Sequence, residues 1–219
     1  MKVCTDACLF GAVLPSNSFT GEFKVLDIGT GTGLLSLMYA QKNPQAIIDA
    51  IEIDNAAAGQ ARDNFSSSPW AKRLHITNTD VLDLPAEKKY DHIFSNPPFF
   101  EDDLHSPDAG KNNAKHDTAL SLVQLLETVN RLLNNEGSFA VLLPFKRLDY
   151  FIEEALKYDL HLSQQILVKQ TPAHDFFRVI LFFGRIMNRV SDKEIIIKDK
   201  NGKYTTAFAE VLKDYYLHL

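Results

Sequence analysis

Apolar segments of two kinds alternate along most of the chain, and this alternation constrains the fold more than any other feature. Strand-like runs lie at 23–28, 46–53, 74–78, 91–95, 138–143, 160–169 and 177–184. Helix-like spacing of apolar or alanine residues occurs at 34–41, 55–65, 122–133 and 148–156. Strands that alternate with helices form a parallel sheet with helices on both faces. The sequence therefore predicts an α/β fold, and the last two strands, which no helix separates, are expected to be antiparallel.

The length and composition are those of one globular domain. The chain has 219 residues, of which 45% are hydrophobic and 23% charged, and no repeat or linker divides it. We expect a single domain over 1–219, with 190–219 as a small appendage made of a hairpin turn at 199–202 and a short helix. Only two cysteines are present, and no Cys/His cluster has the spacing of a zinc site. No apolar run is long enough to span a membrane, and the N-terminus lacks the apolar stretch of a secretory signal. We therefore expect no metal, no membrane and a cytoplasmic location.

The net charge of −5 argues against a protein that coats nucleic acid by charge alone. An acidic protein can still have one basic face. Within 146–189 basic residues outnumber acidic ones, which fits either contact with RNA phosphates or an ordinary solvated surface.

A glycine-rich turn joins the first predicted strand to the first helix. It reads Asp27-Ile28-Gly29-Thr30-Gly31-Thr32-Gly33, and its glycines let the backbone turn sharply and approach a ligand closely. A plain structural turn has the same composition, but two acidic residues favour a ligand site. Glu52 ends the second strand, where it can accept hydrogen bonds from ribose hydroxyls, and Asp80 just past the third strand can meet an adenine amino group. The spacing is not that of a triphosphate loop or a dinucleotide fingerprint.

This glycine motif with an acidic second-strand end resembles the class I S-adenosylmethionine methyltransferases. The resemblance implies a Rossmann-like fold with a mostly parallel seven-stranded sheet, helices on both faces and an antiparallel C-terminal strand pair. It also implies S-adenosyl-L-methionine as the cofactor. The cofactor contacts that it implies are Asp27, Gly29, Thr30, Gly31, Gly33, Glu52, Ile53, Asp80, Val81 and Asn96.

A second motif, Ser95-Asn96-Pro97-Pro98-Phe99-Phe100, follows the fourth strand. An ordinary Asn-Pro turn has the same sequence, but open α/β sheets bind ligands at this end of their strands. The side-chain carbonyl of Asn96 and the backbone carbonyl of Pro97 can accept both N–H groups of an exocyclic amine. Such contacts aim the nitrogen lone pair at a methyl donor, so positioning supplies the rate and no general base is needed. Phe99 offers a ring on which a base can stack.

Asn-Pro-Pro-aromatic is similar to the signature of methyltransferases that act on adenine N6 or on a glutamine amide, and the tetrapeptide alone does not choose between them. Both ends of the chain are similar to the bacterial valine-tRNA N6-adenine methyltransferases. The segments that carry this similarity are Met1-Lys2-Val3-x-Thr5-Asp6, Gly202-Lys203-Tyr204-Thr205 and Tyr215-Tyr216-Leu217. The resemblance implies methylation of the adenosine 3′ of the anticodon, position 37, in valine tRNA. Members usually have a further basic and aromatic segment before the Met-Lys-Val stretch, and we expect tRNA affinity to depend on it.

The same resemblance assigns roles to individual residues. Asn96, Pro97 and Phe99 are the implied catalytic residues, and Thr5 and Asp6 close over the methionine end of the cofactor. Apart from the resemblance, we expect contacts to the RNA substrate from Pro98, Phe99, Phe100, Lys115, His116 and Arg178, with His116 as a simply exposed residue the alternative. The polar loop 101–117 is expected to be a lid.

Three alternative functions stay open at this point. Release-factor-type glutamine methyltransferases share the tetrapeptide but usually have a separate helical N-terminal domain. DNA adenine methyltransferases normally have a large target-recognition region. A binding module without turnover is disfavoured because both motifs are intact.

Overall fold

The computed structural model describes residues 4–16, 21–98 and 120–218. The helices in this part of the chain are α1 (Thr5–Val13), α2 (Leu34–Lys42), α3 (Asn55–Ser66), α4 (Leu122–Leu132), α5 (Leu148–Leu156) and α6 (Thr206–Leu212). The strands are β1 (Phe23–Ile28), β2 (Ala46–Glu52), β3 (Leu74–Asn78), β4 (Tyr90–Ser95), β5 (Leu133–Pro144), β6 (His161–Lys169), β7 (Phe176–Gly184) and β8 (Ser191–Ile196). Short 3₁₀ turns occupy Ala71–Arg73, Val81–Asp83 and Phe145–Arg147.

The strands form one sheet in the order β3-β2-β1-β4-β5-β7-β6-β8. Strands β1 to β5 pair in parallel, whereas β7 is antiparallel to both β5 and β6. The mostly parallel sheet and the antiparallel C-terminal pair are therefore confirmed. The strand count was wrong, because β8 joins the edge parallel to β6 and makes an eighth strand. Its first four residues are exposed, so the sequence shows no apolar alternation there.

Each face of the sheet has its own apolar core, because successive side chains of a strand point to opposite faces. Val25 belongs to the core under α1, α2, α3 and α6, and Leu26 belongs to the core under α4 and α5. The helix α4 begins with a capping box, in which Ser121 and Gln124 each bond the other's backbone N–H through their side chains. This cap satisfies two backbone N–H groups at the start of α4.

Two segments differ from the sequence-based expectation. The strand predicted at 138–143 begins earlier, because residues 134–137, directly after the third predicted helix, belong to β5 and bulge opposite Asp91. The Asn134 amide donates to the Asp91 carboxylate at 2.7 Å and holds the bulge in the sheet. Helix α1 has no predicted counterpart, because it is apolar around most of its circumference and buried from Ala7 to Gly11.

The C-terminal segment contributes to the sheet and to one core. After β8 the chain forms a turn in which the Gly202 N–H donates to the Asp199 carbonyl at 3.1 Å. Helix α6 then buries Phe208 and Leu212 against α1 and the sheet. The segment predicted as a hairpin and helix over 190–219 thus includes, in its described part, the strand β8 that pairs with β6 at the edge of the sheet.

Candidate active site

The glycine-rich turn lies where the strand order reverses. β1 has β2 on one side and β4 on the other, and open α/β sheets bind ligands outside the carboxyl ends of strands at such a point. Gly29, Gly31 and Gly33 have φ values of 69°, 59° and 87°, a region that residues with a Cβ avoid. The Gly29 N–H donates to the Ile51 carbonyl at 2.9 Å and ties the turn to β2.

Gly33 has a steric requirement in addition to its positive φ. A Cβ on this residue would lie 2.4 Å from the ring of Phe65 on α3. We expect Gly33→Ala to lower the free energy of unfolding by at least about 2 kcal/mol, since a left-handed non-glycine residue and an overpacked contact each cost about 1–3 kcal/mol. Gly59→Ala is the matched control, because a Cβ there meets nothing within 4 Å. It lies inside α3, so it should gain about 0.5–1 kcal/mol in urea unfolding. Equal effects of the two changes would contradict the prediction.

Asp27 lies behind the turn. It is fully buried, and its Oδ2 accepts hydrogen bonds from the hydroxyls of Thr30 at 2.6 Å and Ser36 at 2.7 Å. Its Oδ1 has no hydrogen-bond partner among the residues that the structure describes. Burial raises the pKa of Asp27 from 3.8 to about 6. Asp27 therefore holds the turn in shape from the side away from the cavity.

The raised pKa of Asp27 predicts a specific pH dependence. The folded state holds the Asp27 proton more tightly than the unfolded state does. The contribution of Asp27 to stability is therefore fully present below about pH 4 and is lost as the pH rises through about 6. The shift corresponds to about 3 kcal/mol. Burial lowers the pKa of His92 to about 4, so the contribution of His92 to stability increases with pH. The dependence of the natural protein's stability on pH therefore contains both contributions. We expect Asp27→Asn to gain stability relative to the natural protein between pH 4 and 7 in urea titrations. A difference that does not change with pH would contradict this.

A cavity of about 620 Å³ opens on the other side of the turn. Of the residues predicted to bind the cofactor, those that line it are Gly29, Gly31, Glu52, Ile53, Asp80, Val81 and Asn96. Pro97 and Pro98 line it as well. Thr5, Asp6, Asp27, Thr30 and Gly33 are not among its lining residues. The structure thus brings together seven of the twelve residues predicted to contact the cofactor.

Glu52 lines the first cavity beside the glycine-rich turn. Its Oε2 accepts the Gly31 N–H at 2.7 Å, and its Oε1 accepts the Asp54 N–H at 2.9 Å. A carboxylate has about four lone-pair sites, so each oxygen keeps capacity for one further donor. The amide of Asn78 bonds the carbonyl of Glu52 at 2.8 Å and fixes the backbone of this strand end. This wall is suited to a pair of hydroxyl groups.

One wall of this cavity is formed by aliphatic side chains, two of which are exposed to solvent. Ile53 is 52% exposed and Leu82 is 39% exposed, and both line the cavity with Val81. Asp80 lies beside them, and its Oδ1 accepts the Leu82 N–H at 2.9 Å. Large exposed aliphatic residues around a cavity with few polar groups are typical of a site for a flat apolar ring. Hydroxyl-binding and ring-binding walls together fit a nucleoside.

Asn96 follows β4 at the same end of the sheet. The Ser95 hydroxyl donates to the Ile28 carbonyl at 2.9 Å and pins the end of β4 against β1. The side-chain oxygen of Asn96 is buried, and within the described ranges it has no hydrogen-bond partner. Buried acceptors are nearly always satisfied, so this oxygen fits a donor from a bound molecule.

A second cavity, of about 300 Å³, adjoins the first. Pro97, Pro98 and Leu120 line both of them. Arg178, predicted to contact the substrate, lines the second cavity, and its Nε donates to Asp6 Oδ2 at 2.9 Å. Asp6 therefore lies near the second cavity. Phe99, Phe100, Lys115, His116 and the loop 101–117 lie outside the described residues.

Sequence reasoning missed several residues of the first cavity: Ile28, Ile51, Asp54, Ala57, Thr79, Leu82, Ser95, Leu120 and Gln124. Most of them are direct neighbours of predicted residues, so their positions next to Glu52, Asp80 and Asn96 were a usable signal. No sequence signal pointed to Leu120 and Gln124, because only the tertiary structure brings the start of α4 to the site.

The described residues include no cluster of three or more His, Cys, Asp or Glu side chains that would hold a metal ion. Across those same ranges, every helix is too short or too polar to cross a bilayer.

The comparisons with known proteins agree with this geometry. The profile of the family described as "Methyltransferase small domain" matches residues 7–143. A predicted O-methyltransferase from Agrobacterium tumefaciens has the same fold, with a TM-score of 0.70 at 14% identity over 97% of this chain and 98% of that one. A precorrin-6y C5,15-methyltransferase from Geobacter metallireducens gives a TM-score of 0.54 at 18% identity over 83% and 87% of the two chains. Fold and site together define a class I S-adenosylmethionine-dependent methyltransferase.

Proteins related in sequence identify the family within this class. The tRNA1(Val) (adenine(37)-N6)-methyltransferase of Bacteroides thetaiotaomicron is 38% identical over 100% of this chain and 92% of the relative. The protein of the same name from Dyadobacter fermentans is 39% identical over 99% and 91% of the two chains. The chain belongs to the tRNA1(Val) (adenine(37)-N6)-methyltransferase family.

Proposed function

We propose that this chain transfers a methyl group from S-adenosylmethionine to the N6 amine of adenosine 37 in valine tRNA. The observation that carries the proposal is the buried side-chain oxygen of Asn96, which has no hydrogen-bond partner among the described residues and belongs to a residue that lines the first cavity. The names of the relatives supply the RNA and the position. A tRNA-modifying enzyme works where tRNA matures, so we place it in the cytoplasm.

The first cavity fits the cofactor. The remaining lone pairs of Glu52 suit the two ribose hydroxyls, Asp80 suits the adenine amino group, and Ile53 and Leu82 suit the faces of the adenine ring. Gly31 gives the rest of the molecule a close approach to the backbone. When bound, S-adenosylmethionine supplies a methyl group activated by a sulfonium centre.

Asn96 and Pro97 would orient the target amine. An adenine amine is a poor nucleophile because its lone pair is delocalised into the ring. With one N–H donated to the Asn96 side chain and the other to the Pro97 carbonyl, the nitrogen turns towards tetrahedral geometry and its lone pair faces the first cavity. The new N–C bond would replace the S–C bond of the sulfonium, which would leave as a neutral thioether. The alkylated nitrogen is acidic enough to lose its proton to water without a dedicated base. The contribution of this pair is therefore positioning and electrostatic stabilisation.

Adenine is favoured over glutamine amide by the surroundings of the acceptor. The second cavity beside Pro97 and Pro98 has aromatic and basic lining residues, among them Phe145 and Arg147. Aromatic rings with neighbouring cations suit nucleotides, which stack and have phosphate charge. Both features support an RNA substrate.

The direct test is transfer of labelled methyl to unmodified valine tRNA, followed by digestion to nucleosides. We expect label only in N6-methyladenosine. A transcript with guanosine at position 37 is the control and should accept none. Labelling of that control, or of a release-factor glutamine instead of tRNA, would overturn the proposal.

A further inference from the structure

The turn that follows β8 is rich in basic residues. Its sequence over 198–204 is Lys-Asp-Lys-Asn-Gly-Lys-Tyr, which has three lysines and one acid, whereas the chain as a whole has a net charge of −5. Lys200 and Lys203 are exposed, and neither forms an ion pair in the part of the chain that the structure describes. The turn is therefore a local positive surface on an acidic protein.

Asp199, the one acid of this turn, shapes it. Its Oδ1 accepts the backbone N–H groups of Asn201 at 2.8 Å and of Lys203 at 3.0 Å. Gly202 has a φ of 78°, which lets the chain reverse its direction there. The carboxylate is thus directed at backbone donors inside the turn, whereas the side chains of Lys200 and Lys203 stay exposed.

The sheet and α6 hold the turn in place. At its end, the Thr205 N–H donates to the Ile197 carbonyl at 3.0 Å, and the Thr205 hydroxyl donates to the Ile196 carbonyl at 2.5 Å. The ring of Tyr204 stacks on the ring of Phe208 with centroids 4.8 Å apart. The lysines therefore stand on a preorganised support, which reduces the conformational entropy that binding would cost.

The turn and the candidate active site lie at the same edge of the sheet. Paired residues run across the sheet from Pro144 of β5 through Arg178 of β7 and Val168 of β6 to Ile195 of β8. Strand β5 is the neighbour of β4, which leads into Asn96. Three strand spacings of about 4.8 Å put β8 about 14 Å from β5. A macromolecule whose reacting base lies at Asn96 can therefore extend over the turn.

We propose that Lys200 and Lys203 bind phosphates of the tRNA outside the nucleotide that is methylated. This inference rests on the proposed function, which makes tRNA the substrate. Lysine ammonium groups neutralise phosphates without reading the base sequence. The turn therefore contributes affinity and orients the tRNA, while Asn96 and Pro97 select the reacting amine. A localised positive surface of this kind lets an acidic protein bind a polyanion.

The first test removes both charges. At about 50 mM salt, we expect Lys200→Gln/Lys203→Gln to raise the KM for valine tRNA at least about fivefold. The dependence of log KM on log salt should become less steep by about 2, because each lost phosphate contact lowers the slope by about 1. The KM for S-adenosylmethionine should stay as in the natural protein.

Two further double variants serve as controls. Lys24→Gln/Lys72→Gln removes the same charge from exposed residues near the amino ends of β1 and β3, at the opposite edge of the sheet, and should keep the natural KM and slope. Lys200→Arg/Lys203→Arg retains the charge of the turn and should do the same. Equal effects of the two glutamine variants would show that only net charge matters and would overturn the proposal. A raised KM for S-adenosylmethionine would place the turn at the cofactor site and would also overturn it.

Protection of lysines from acetylation gives a second measurement that needs neither a variant nor turnover. The natural protein is treated with acetic anhydride in the presence and absence of valine tRNA with guanosine at the target position, and each lysine is quantified by mass spectrometry. We expect the tRNA to protect Lys200 and Lys203 and to leave Lys24 and Lys72 as reactive as in the free protein. High salt should remove the protection.

The acetylation experiment separates this proposal from the proposed function. Methylation of tRNA without protection of Lys200 and Lys203 overturns only the present proposal. Protection without methylation overturns only the proposed function. Protection by phosphatidylglycerol vesicles, with none by tRNA, would assign the turn to a membrane surface and overturn the proposal.

Discussion

Replacing Asn96 with Ala is expected to lower the rate of methyl transfer to tRNA by at least about a hundredfold, the size of effect seen when one preorganised hydrogen-bonding group is removed from a reacting centre. The buried oxygen of Asn96 has no hydrogen-bond partner within the described residues, so its removal leaves no protein donor unsatisfied. Folding and cofactor binding should therefore persist while kcat falls. Single-turnover transfer and calorimetric titration with S-adenosylmethionine measure the two separately.

Asn96→Asp is the matched control for this experiment. A carboxylate oxygen in the same place still accepts an amine N–H, so this variant should retain more activity than Asn96→Ala. Unchanged transfer by Asn96→Ala would refute the positioning role. Loss of cofactor binding in step with loss of transfer would assign Asn96 to the cofactor instead.

Replacing Glu52 with Ala is expected to weaken S-adenosylmethionine binding by at least about a hundredfold. Hydrogen bonds to a charged group contribute about 1.5–3 kcal/mol each, and two from the ribose amount to about 3 kcal/mol or more. The change also frees the N–H groups of Gly31 and Asp54, which the carboxylate now accepts at 2.7 and 2.9 Å. Titration calorimetry measures the affinity, and unfolding without ligand measures the effect on the turn.

Glu52→Gln separates charge from shape at this position. Its amide offers one acceptor and one donor, whereas both backbone N–H groups need an acceptor, so affinity should fall here too. Glu87→Gln, at an exposed site, removes the same charge and should bind the cofactor normally. Binding by Glu52→Ala within threefold of the natural protein would contradict the assigned role.

Much of the fold followed from local pattern. The strand predicted at 23–28 is β1 without a shift, and the strand predicted at 74–78 is β3. In both strands, the apolar pattern is visible in the local sequence alone. The edge strand β8 did not follow, because only the last part of it is buried. An exposed strand is specified by its partner β6 and not by its own hydrophobic pattern.

The site likewise has residues that the local sequence predicted and features that it did not. Gly31, Glu52, Asp80 and Asn96 were identified because each stands at the carboxyl end of a predicted strand, and parallel strands bring those ends to one edge of the sheet. Asp27 belonged to the same motif, yet its side chain turned behind the loop to Thr30 and Ser36. The direction of a side chain at a strand end depends on what packs against it, which the motif does not encode.

The sequence by itself determined the chemistry: a turn that only glycines can form, an acid at the end of the second strand and an Asn-Pro-Pro acceptor after the fourth. Only the tertiary structure decided that Pro97, Phe145 and Phe176 meet around one cavity. The physical reason is that motif chemistry is local, whereas a cavity exists only where separate elements pack and leave space. The antiparallel pairing of β7 with β5 brings Arg178 opposite Pro144, and no short-range pattern in the chain specifies that pairing.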